Sequence, residues 1–429
     1  MGLTLAEKIL ARASGRERVA PGEYVTARAD KVMCHEAFVL CALQLAKLGV
    51  TRLFDPARVL VILDHYFPAP TERMAGAHAA ARQLAERFGI SHFLGHAGIC
   101  HQVLTERALV RPGELVFGTD SHSTTYGAVA AAGNGIGVTE ATYVLATGEL
   151  WMRVPPTLRF ALEGELPAGV MSKDVALYLA GRFGTAVASY RAIEFTGPAA
   201  SAMSLASRMT LANMGAELGA KFAFFAADEA TAAYLSERAA QQAGERAGEP
   251  VAPFGPDPDA RYEATHVVDV GGLEPQIACP HNPGNVKPVS AVAGTPVQQC
   301  FLGSCTNARL EDLAVAAEIL RGRQVHPSTR LLVTPASHEV ALEATRAGIL
   351  ETLLAAGAHV TASGCGACPG GHGGVLGAGE ACLSSTNRNF RGRMGSAEAQ
   401  VYLGSPASVA AAALTGRIVD PREYWEGRM

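Results

Sequence analysis

Val297-Gln298-Gln299-Cys300-Phe301-Leu302-Gly303-Ser304-Cys305-Thr306-Asn307 is the stretch that decides the architecture. Its first half is an apolar run of strand length. At Gly303 it passes into a loop that carries a cysteine. Downstream the pattern alternates: a helical period over 310–321, a strand-like run at 330–334, a helix over 338–347 and a strand at 359–362. That last strand empties into a second glycine-bearing loop, Ser363-Gly364-Cys365-Gly366-Ala367-Cys368-Pro369-Gly370. Strands alternating with helices predict parallel α/β layers. In open sheets of that kind ligands gather at the C-terminal strand ends, where both cysteine loops fall.

The same alternation extends upstream. Residues 3–13 read as an amphipathic helix with Thr4 as N-cap and Glu7 in the capping-box position, stopped at Gly15. A helix is expected over 37–48, strands at 59–63, 115–117 and 158–162, and helices over 75–88 and 140–151. Pro155-Pro156 marks one boundary. A helix over 231–247 followed by the Pro/Asp-rich run 253–259 marks another, and Pro280, Pro283 and Pro288 fall in an extended connector. The expectation is three α/β units, 1–155, 156–264 and 265–429. Gly133-Asn134-Gly135-Ile136-Gly137 looks like a dinucleotide loop, but its third glycine falls at the wrong spacing, so it reads as a packing turn before a helix.

Composition narrows the function classes. Charged residues are 18% of the 429, below the roughly 25% of an average globular chain, and the net charge is −4, which argues against nucleic acid as a partner. The most apolar stretch, Val59-Leu60-Val61-Ile62-Leu63, stops at Asp64, far short of the ~18 residues of a membrane span. Glu7 and Lys8 interrupt any signal-peptide pattern, so an intracellular, cytoplasmic protein without a membrane segment is expected. Nine cysteines are too sparse and too odd in number for a disulfide scaffold. Cys34, Cys41, Cys100, Cys279, Cys300 and Cys382 sit in apolar settings and read as core residues.

Cys305, Cys365 and Cys368 stand apart. Three thiolates with an open fourth position suit an iron–sulfur cluster with one available iron. A structural zinc, which needs four closed ligands, ranks about equally on spacing alone, and inert buried thiols or a redox dithiol at Cys365/Cys368 are further readings. Histidines recur beside carboxylates or glutamine: Asp64-His65 after one strand, Gly118-Thr119-Asp120-Ser121-His122 after another, and His101-Gln102. A carboxylate next to an imidazole fixes its tautomer and raises its pKa, which suits proton delivery. A facial-triad iron site would leave the cysteines unexplained.

Gly303-Ser304-Cys305-Thr306-Asn307-Ala308-Arg309-Leu310-Glu311-Asp312-Leu313 and Gly364-Cys365-Gly366-Ala367-Cys368 resemble the two cluster signatures of the aconitase superfamily. The likeness runs from Thr4-Leu5-Ala6-Glu7-Lys8-Ile9-Leu10 to Thr386-Asn387-Arg388-Asn389-Phe390-Arg391-Gly392-Arg393 and is strongest to the large subunits of its two-subunit isopropylmalate isomerase and homoaconitase branch. The segment 369–377 is similar to a shorter archaeal-type subgroup that mixes isopropylmalate, homocitrate and dimethylmalate substrates. The resemblance implies three α/β/α domains with mainly parallel sheets around a central 4Fe-4S cluster held by Cys305, Cys365 and Cys368. It implies dehydration and rehydration of a small di- or tricarboxylate hydroxy acid.

The resemblance also implies roles. His65, paired with Asp64, corresponds to the histidine that protonates the departing hydroxyl. His101 pairs with Asp120, and His122 with Glu217 of Asn213-Met214-Gly215-Ala216-Glu217. Asn213 and Ser121 are expected near cluster and substrate, and His35 takes a substrate-contacting position. Asn387 corresponds to a cluster-binding residue and Arg388 and Arg393 to carboxylate-binding ones, whose guanidinium forks match carboxylates. Arg391 reads as solvated. The chain departs from the family at Ala37-Phe38-Val39, where a bulky Phe38 either narrows the pocket or packs in its helix. The family's base is a serine on a fourth, swivelling domain, for which nothing up to Met429 leaves room; Ser405 and Ser408 are poor candidates. A separate small subunit bearing that domain is therefore the expected partner. An RNA-binding role is the competing class, and the acidic charge counts against it.

Overall fold

The computed structural model describes residues 2–240 and 250–425. The first helix, Leu5–Ala13, begins as its sequence dictates: Thr4 accepts from the Glu7 N–H and Glu7 reaches back to the cap. Its Leu5, Ile9 and Leu10 side chains enter the first core.

That core covers one face of a five-stranded, all-parallel sheet. Its order is His92–Gly95, Val59–Ile62, Lys31–Cys34, Leu115–Gly118, Ala132–Gly135. Helices Phe38–Lys47 and Glu72–Phe88 lie among the crossovers. Phe38 is fully buried in this core with its ring 6.5 Å from Phe88, so the bulky side chain packs under the helix. The edge strand is a correction. Its Ala132-Gly133-Asn134-Gly135 sequence predicts a turn, but the missing side chains let the backbone pair while the turn Ser121–Val129 lies directly on it. A Cβ on Gly133 would sit 1.8 Å from the Ser123 carbonyl oxygen.

The helix expected to reach residue 151 stops at Thr147, because Gly148 takes a left-handed φ of +76°. Glu149–Arg153 is instead a strand, antiparallel to Tyr24–Arg28, with Leu150 and Met152 turned inward and Trp151 outward.

A four-stranded parallel sheet follows, ordered Phe222–Phe224, Ala192–Thr196, Thr157–Glu163, Ala264–Asp269. It draws strands from either side of the expected boundary at 264. The helix predicted over 231–247 is Glu229–Ala240 as far as it is described; the rest of that expectation lies outside the described residues. The third sheet has seven strands. Gln400–Leu403, Ala381–Ser384, Gln299–Leu302, Arg330–Val333 and His359–Val360 run parallel, and Gln276–Ala278 with Val286–Pro288 is added antiparallel at one edge. The proline-rich connector is thus a hairpin rather than plain extended chain. Ser405 and Ser408 are buried at the start of helix Pro406–Thr415, where Ser405 caps the Ser408 N–H.

The five- and seven-stranded sheets meet through backbone. Ile99 N–H donates to Ala336 O and His338 N–H to Ala97 O, both at 2.9 Å, and Gly98 bridges Ser337. A Cβ on Gly98 would lie 2.4 Å from Ser337 Cα, so a glycine is required at this seam. Among the described residues no helix is long and apolar enough to cross a membrane.

Candidate active site

Strand ends of both sheets open onto one small cavity that is partly open to solvent. One wall carries Asp64, His65, His101, Asp120 and His122; the other carries Cys305, Cys365, Cys368, Asn387 and Arg393. Asp64 and His65 follow strand Val59–Ile62, and Asp120 follows Leu115–Gly118. His101 is on helix Cys100–Glu106, whose first N–H is held by Asp64 Oδ2 at 2.7 Å.

The acid–base wall is a connected network. Asp64 Oδ1 accepts from His65 Nδ1 at 2.7 Å, and His65 Nε2 lies 3.3 Å from Asp120 Oδ2. Asp120 Oδ1 also takes His101 Nε2 at 2.9 Å and the His122 N–H at 2.7 Å. His122 Nε2 meets Glu217 Oε1 at 3.0 Å, and Arg388 Nε donates to that same oxygen at 2.7 Å. Burial alone would lower His65, but the Asp64 charge and the Asp120 contact overcome it and hold its pKa well above the usual histidine range. Burial would raise Asp120, yet His101, His122 and His65 keep it well below the carboxylate range. His122 is raised against its burial by Asp120 and Glu217, and Glu217 is lowered against its own by His122 and Arg388. The wall therefore favours protons on His65 and His122 and negative charge on Asp120 and Glu217.

The sulfur wall is built around the loop after Gln299–Leu302. Ser304 and Ala308 both take left-handed φ values, +87° and +72°, which for non-glycine residues store strain. Buried Arg309 offsets that strain, donating to Cys305 O at 2.9 Å and Thr306 O at 2.7 Å. Two amides aim at one sulfur: Asn213 Nδ2 and Asn387 Nδ2 each lie 3.2 Å from Cys305 Sγ. Arg393 reaches Cys368 Sγ at 3.6 Å. The Cys365 N–H donates to Asp64 O at 2.9 Å, tying the second cysteine loop to the acid–base wall.

This donor set can be tested against the candidate metals. Among the described residues, the sets of metal-ligating atoms that all lie within 4.8 Å of one another are His35/Glu36/His65 and Asp64/His65/Cys365. The three cysteine sulfurs do not form such a set, whereas sulfurs on one tetrahedral zinc would sit roughly 4 Å apart. Burial, with Asp120 and Cys368 close by, pushes the Cys305 thiol up to about 12, and burial with Asp64 nearby pushes Cys365 well above its usual range. Sulfurs set too far apart for one ion, with N–H donors aimed at Cys305 and Cys368, fit a larger cationic core better than a single ion.

Other expected residues are placed less directly. His35 stacks on His65 at 4.3 Å between ring centroids, and its Nε2 donates to Thr119 O, 2.9 Å away. Ser121 is exposed, its hydroxyl 3.4 Å from His122 Nδ1. Gln102 does not face His101; it bonds Glu106 and Arg309. Arg391 is exposed, and the six cysteines expected in cores are buried. Three residues escaped the sequence reading. Glu36 accepts from the His65 and Tyr66 N–H groups at 3.1 and 3.0 Å, a role its neighbour His35 could have flagged. Arg309 lay unassigned inside the quoted cysteine motif. Lys173 gave no signal, since Ser172-Lys173-Asp174 reads as an ordinary helix start.

Comparison with known proteins agrees with this geometry. The model of the aconitase family (aconitate hydratase) matches residues 7–296 and 286–416. A 3-isopropylmalate dehydratase large subunit from Methanopyrus kandleri is 48% identical over 99% of this chain and 100% of its own length. A probable methanogen homoaconitase large subunit from Methanosarcina mazei is 46% identical over 92% of this chain and 98% of its own. In three dimensions the chain is similar to aconitase X of Thermococcus kodakaraensis, with a TM-score of 0.50 at 12% identity, covering 87% and 88% of the two chains. The chain belongs to the aconitase family of hydro-lyases.

Proposed function

We propose that this chain is the large subunit of a two-subunit hydro-lyase that isomerises 3-isopropylmalate by removing and re-adding water. The observation that carries the reading is the convergence of Asp64–His65, Asp120 and the three cysteines on one cavity. The M. kandleri relative supports the substrate. Homoaconitate is the second reading, supported by the M. mazei relative. The three α/β units and a cytoplasmic site of action remain part of the proposal; nine unpaired cysteines fit a reducing compartment.

Cys305, Cys365 and Cys368 would hold a [4Fe–4S] cluster, which when bound supplies a Lewis-acidic iron. The chain's own residues do the rest. His65 holds a proton at neutral pH, oriented through Nδ1 by Asp64, and gives it to the departing hydroxyl. Asp120 anchors His65, His101 and His122 in one array. Glu217 favours the protonated form of His122 and fixes Arg388, whose guanidinium, with that of Arg393, offers the carboxylate-binding charge. The base that takes the carbon-bound proton would come from a serine on the small subunit, in keeping with the large-subunit names of the relatives.

The test is co-expression with the small subunit and anaerobic assay against 3-isopropylmalate, homoaconitate, citraconate and 2,3-dimethylmalate, with metal analysis. About four iron and four sulfide per chain are expected, with turnover only in the complex and highest on 3-isopropylmalate. A single zinc, or full activity of the large chain alone, would overturn the reading.

A further inference from the structure

The strand Ala381–Ser384 ends with two carbonyls, Ser385 O and Thr386 O, beyond its last pairing with Gln400–Leu403. Both accept from one donor, Lys173 Nζ, at 2.9 and 2.5 Å, and burial lowers the pKa of that amine to about 7. Lys173 is the second residue of helix Ser172–Phe183 and is wholly buried. Its start is fixed: Asp174 accepts from the Met171 and Gln276 N–H groups at 2.8 and 2.9 Å. Core packing alone does not call for an amine here, because a methionine stem would fill the same space without the cost of burying a polar group.

What the Lys173 amine holds is the segment that feeds the site. Ser385 is tied to the first cysteine loop, its hydroxyl donating to Gly303 O at 3.1 Å and accepting from the Gly303 N–H at 3.0 Å. The next two residues are Asn387, with its amide on Cys305 Sγ, and Arg388, with its guanidinium on Glu217. The orientation of two peptide planes therefore sets both contacts at once.

We propose that Lys173 is a positioning residue that clamps the 385–386 carbonyls so that Asn387 faces the Cys305 sulfur and Arg388 presents its charge to the substrate. The inference rests on the reading of Cys305 as a cluster ligand and Arg388 as a carboxylate binder. It adds a residue that acts through both and touches neither iron nor substrate. Loss of a group that orients ligand-shell residues typically costs 10- to 100-fold in metal affinity or activity.

The test uses the full chain with its small subunit, reconstituted anaerobically, as Lys173→Met and Lys173→Gln, each alone and combined with Arg388→Met. Readouts are circular dichroism, iron and sulfide content, the electron paramagnetic resonance line shape of the dithionite-reduced cluster, and kcat and KM for 3-isopropylmalate. Folded Lys173 variants are expected to shift the line shape and raise KM about tenfold or more. On the Arg388→Met background they should add little further KM effect, because both act through one loop. Unchanged line shape and KM would overturn the proposal. So would effects that multiply independently with Arg388→Met, or loss of the fold in both single variants, which would make Lys173 a general stability residue. A parent chain that takes up no iron and sulfide sinks the cluster reading instead; a loaded parent with indifferent Lys173 variants sinks this inference alone.

Discussion

Replacing Asp64 by Asn removes one charge and almost no volume, and the structure says where the damage falls. Asp64 is buried and uses both oxygens: Oδ1 on His65 Nδ1 and Oδ2 on the Cys100 N–H, each at 2.7 Å. An amide has one acceptor oxygen for these two donors. If that oxygen keeps the Cys100 N–H, the amide NH2 faces His65 Nδ1, which must then give up its hydrogen, and the imidazolium is lost. If it keeps His65, the NH2 opposes a buried backbone N–H, an unsatisfied pair costing about 1–3 kcal/mol. Neither arrangement supplies the negative charge that holds His65 above its usual pKa. General acid catalysis contributes typically 10²–10⁴-fold, about 3–5 kcal/mol of barrier at 1.36 kcal/mol per decade. The expected loss in kcat is of that size, with KM nearly unchanged because the Asp64 side chain is not exposed to substrate. The pH profile carries the sign. A proton donor whose pKa is raised stays loaded at neutral pH and empties as pH rises through that value. Removing the carboxylate moves the alkaline limb of kcat to lower pH. The assay is steady-state hydration by the reconstituted complex between about pH 6 and 9, a range that brackets the ordinary histidine value. A kcat within about threefold of the parent, with an unmoved alkaline limb, would refute the assignment of Asp64–His65 as the acid.

Four further outcomes follow from the same structure. Cys305→Ser should abolish iron and sulfide retention while leaving the apo-chain folded, checked by metal analysis and circular dichroism. Gly127→Ala should destabilise by about 3 kcal/mol or more, since its Cβ would lie 1.7 Å from the Ala223 carbonyl oxygen, whereas Gly76→Ala in helix Glu72–Phe88 has open space and should stabilise by about 0.4–1 kcal/mol; urea denaturation of the apo-chain compares them. Arg388→Lys should raise KM about tenfold with a smaller change in kcat, because an ammonium cannot reproduce the guanidinium's grip on Glu217 and a carboxylate together. The Tm gap between the apo-chain and Asp120→Asn should be widest at about pH 4–6.5: depressed Asp120 loses its contribution as pH falls through its folded pKa, and raised His65 and His122 lose theirs as pH rises through their own.

The elements and site residues differ in how far they could be read from sequence. The Thr4/Glu7 capping box and the strand into Gly303 were legible because short-range hydrogen bonding and apolar periodicity decide them. Asp64–His65 was legible because the partners are adjacent. The pairings of His101 with Asp120 and His122 with Glu217 came only from the family likeness, since they cross 19 and 95 residues. The strand at Ala132–Gly135 was misread because glycine has poor strand propensity, and its reason for being there is the close approach of the Ser121–Val129 turn. Strand Glu149–Arg153 was absorbed into a helix because the stop at Gly148 is a single residue. Lys173 was invisible because its function lies at carbonyls more than two hundred residues away, and a carbonyl has no letter in the sequence.

All three cysteines belong to loops of the seven-stranded sheet, while Asp64, His65 and Asp120 rise from the five-stranded one. On the proposed reading, cluster binding and proton transfer thus fall to two different sheets, joined by the seam of residues 97–99 against 336–338 and by the Cys365 N–H on Asp64 O. A chain could be fully metallated, brown and well folded, yet inert, if that seam slipped by an ångström. Colour and metal content would then report on one half of the machine, and mutations far from any reacting atom could silence the other without a spectroscopic trace.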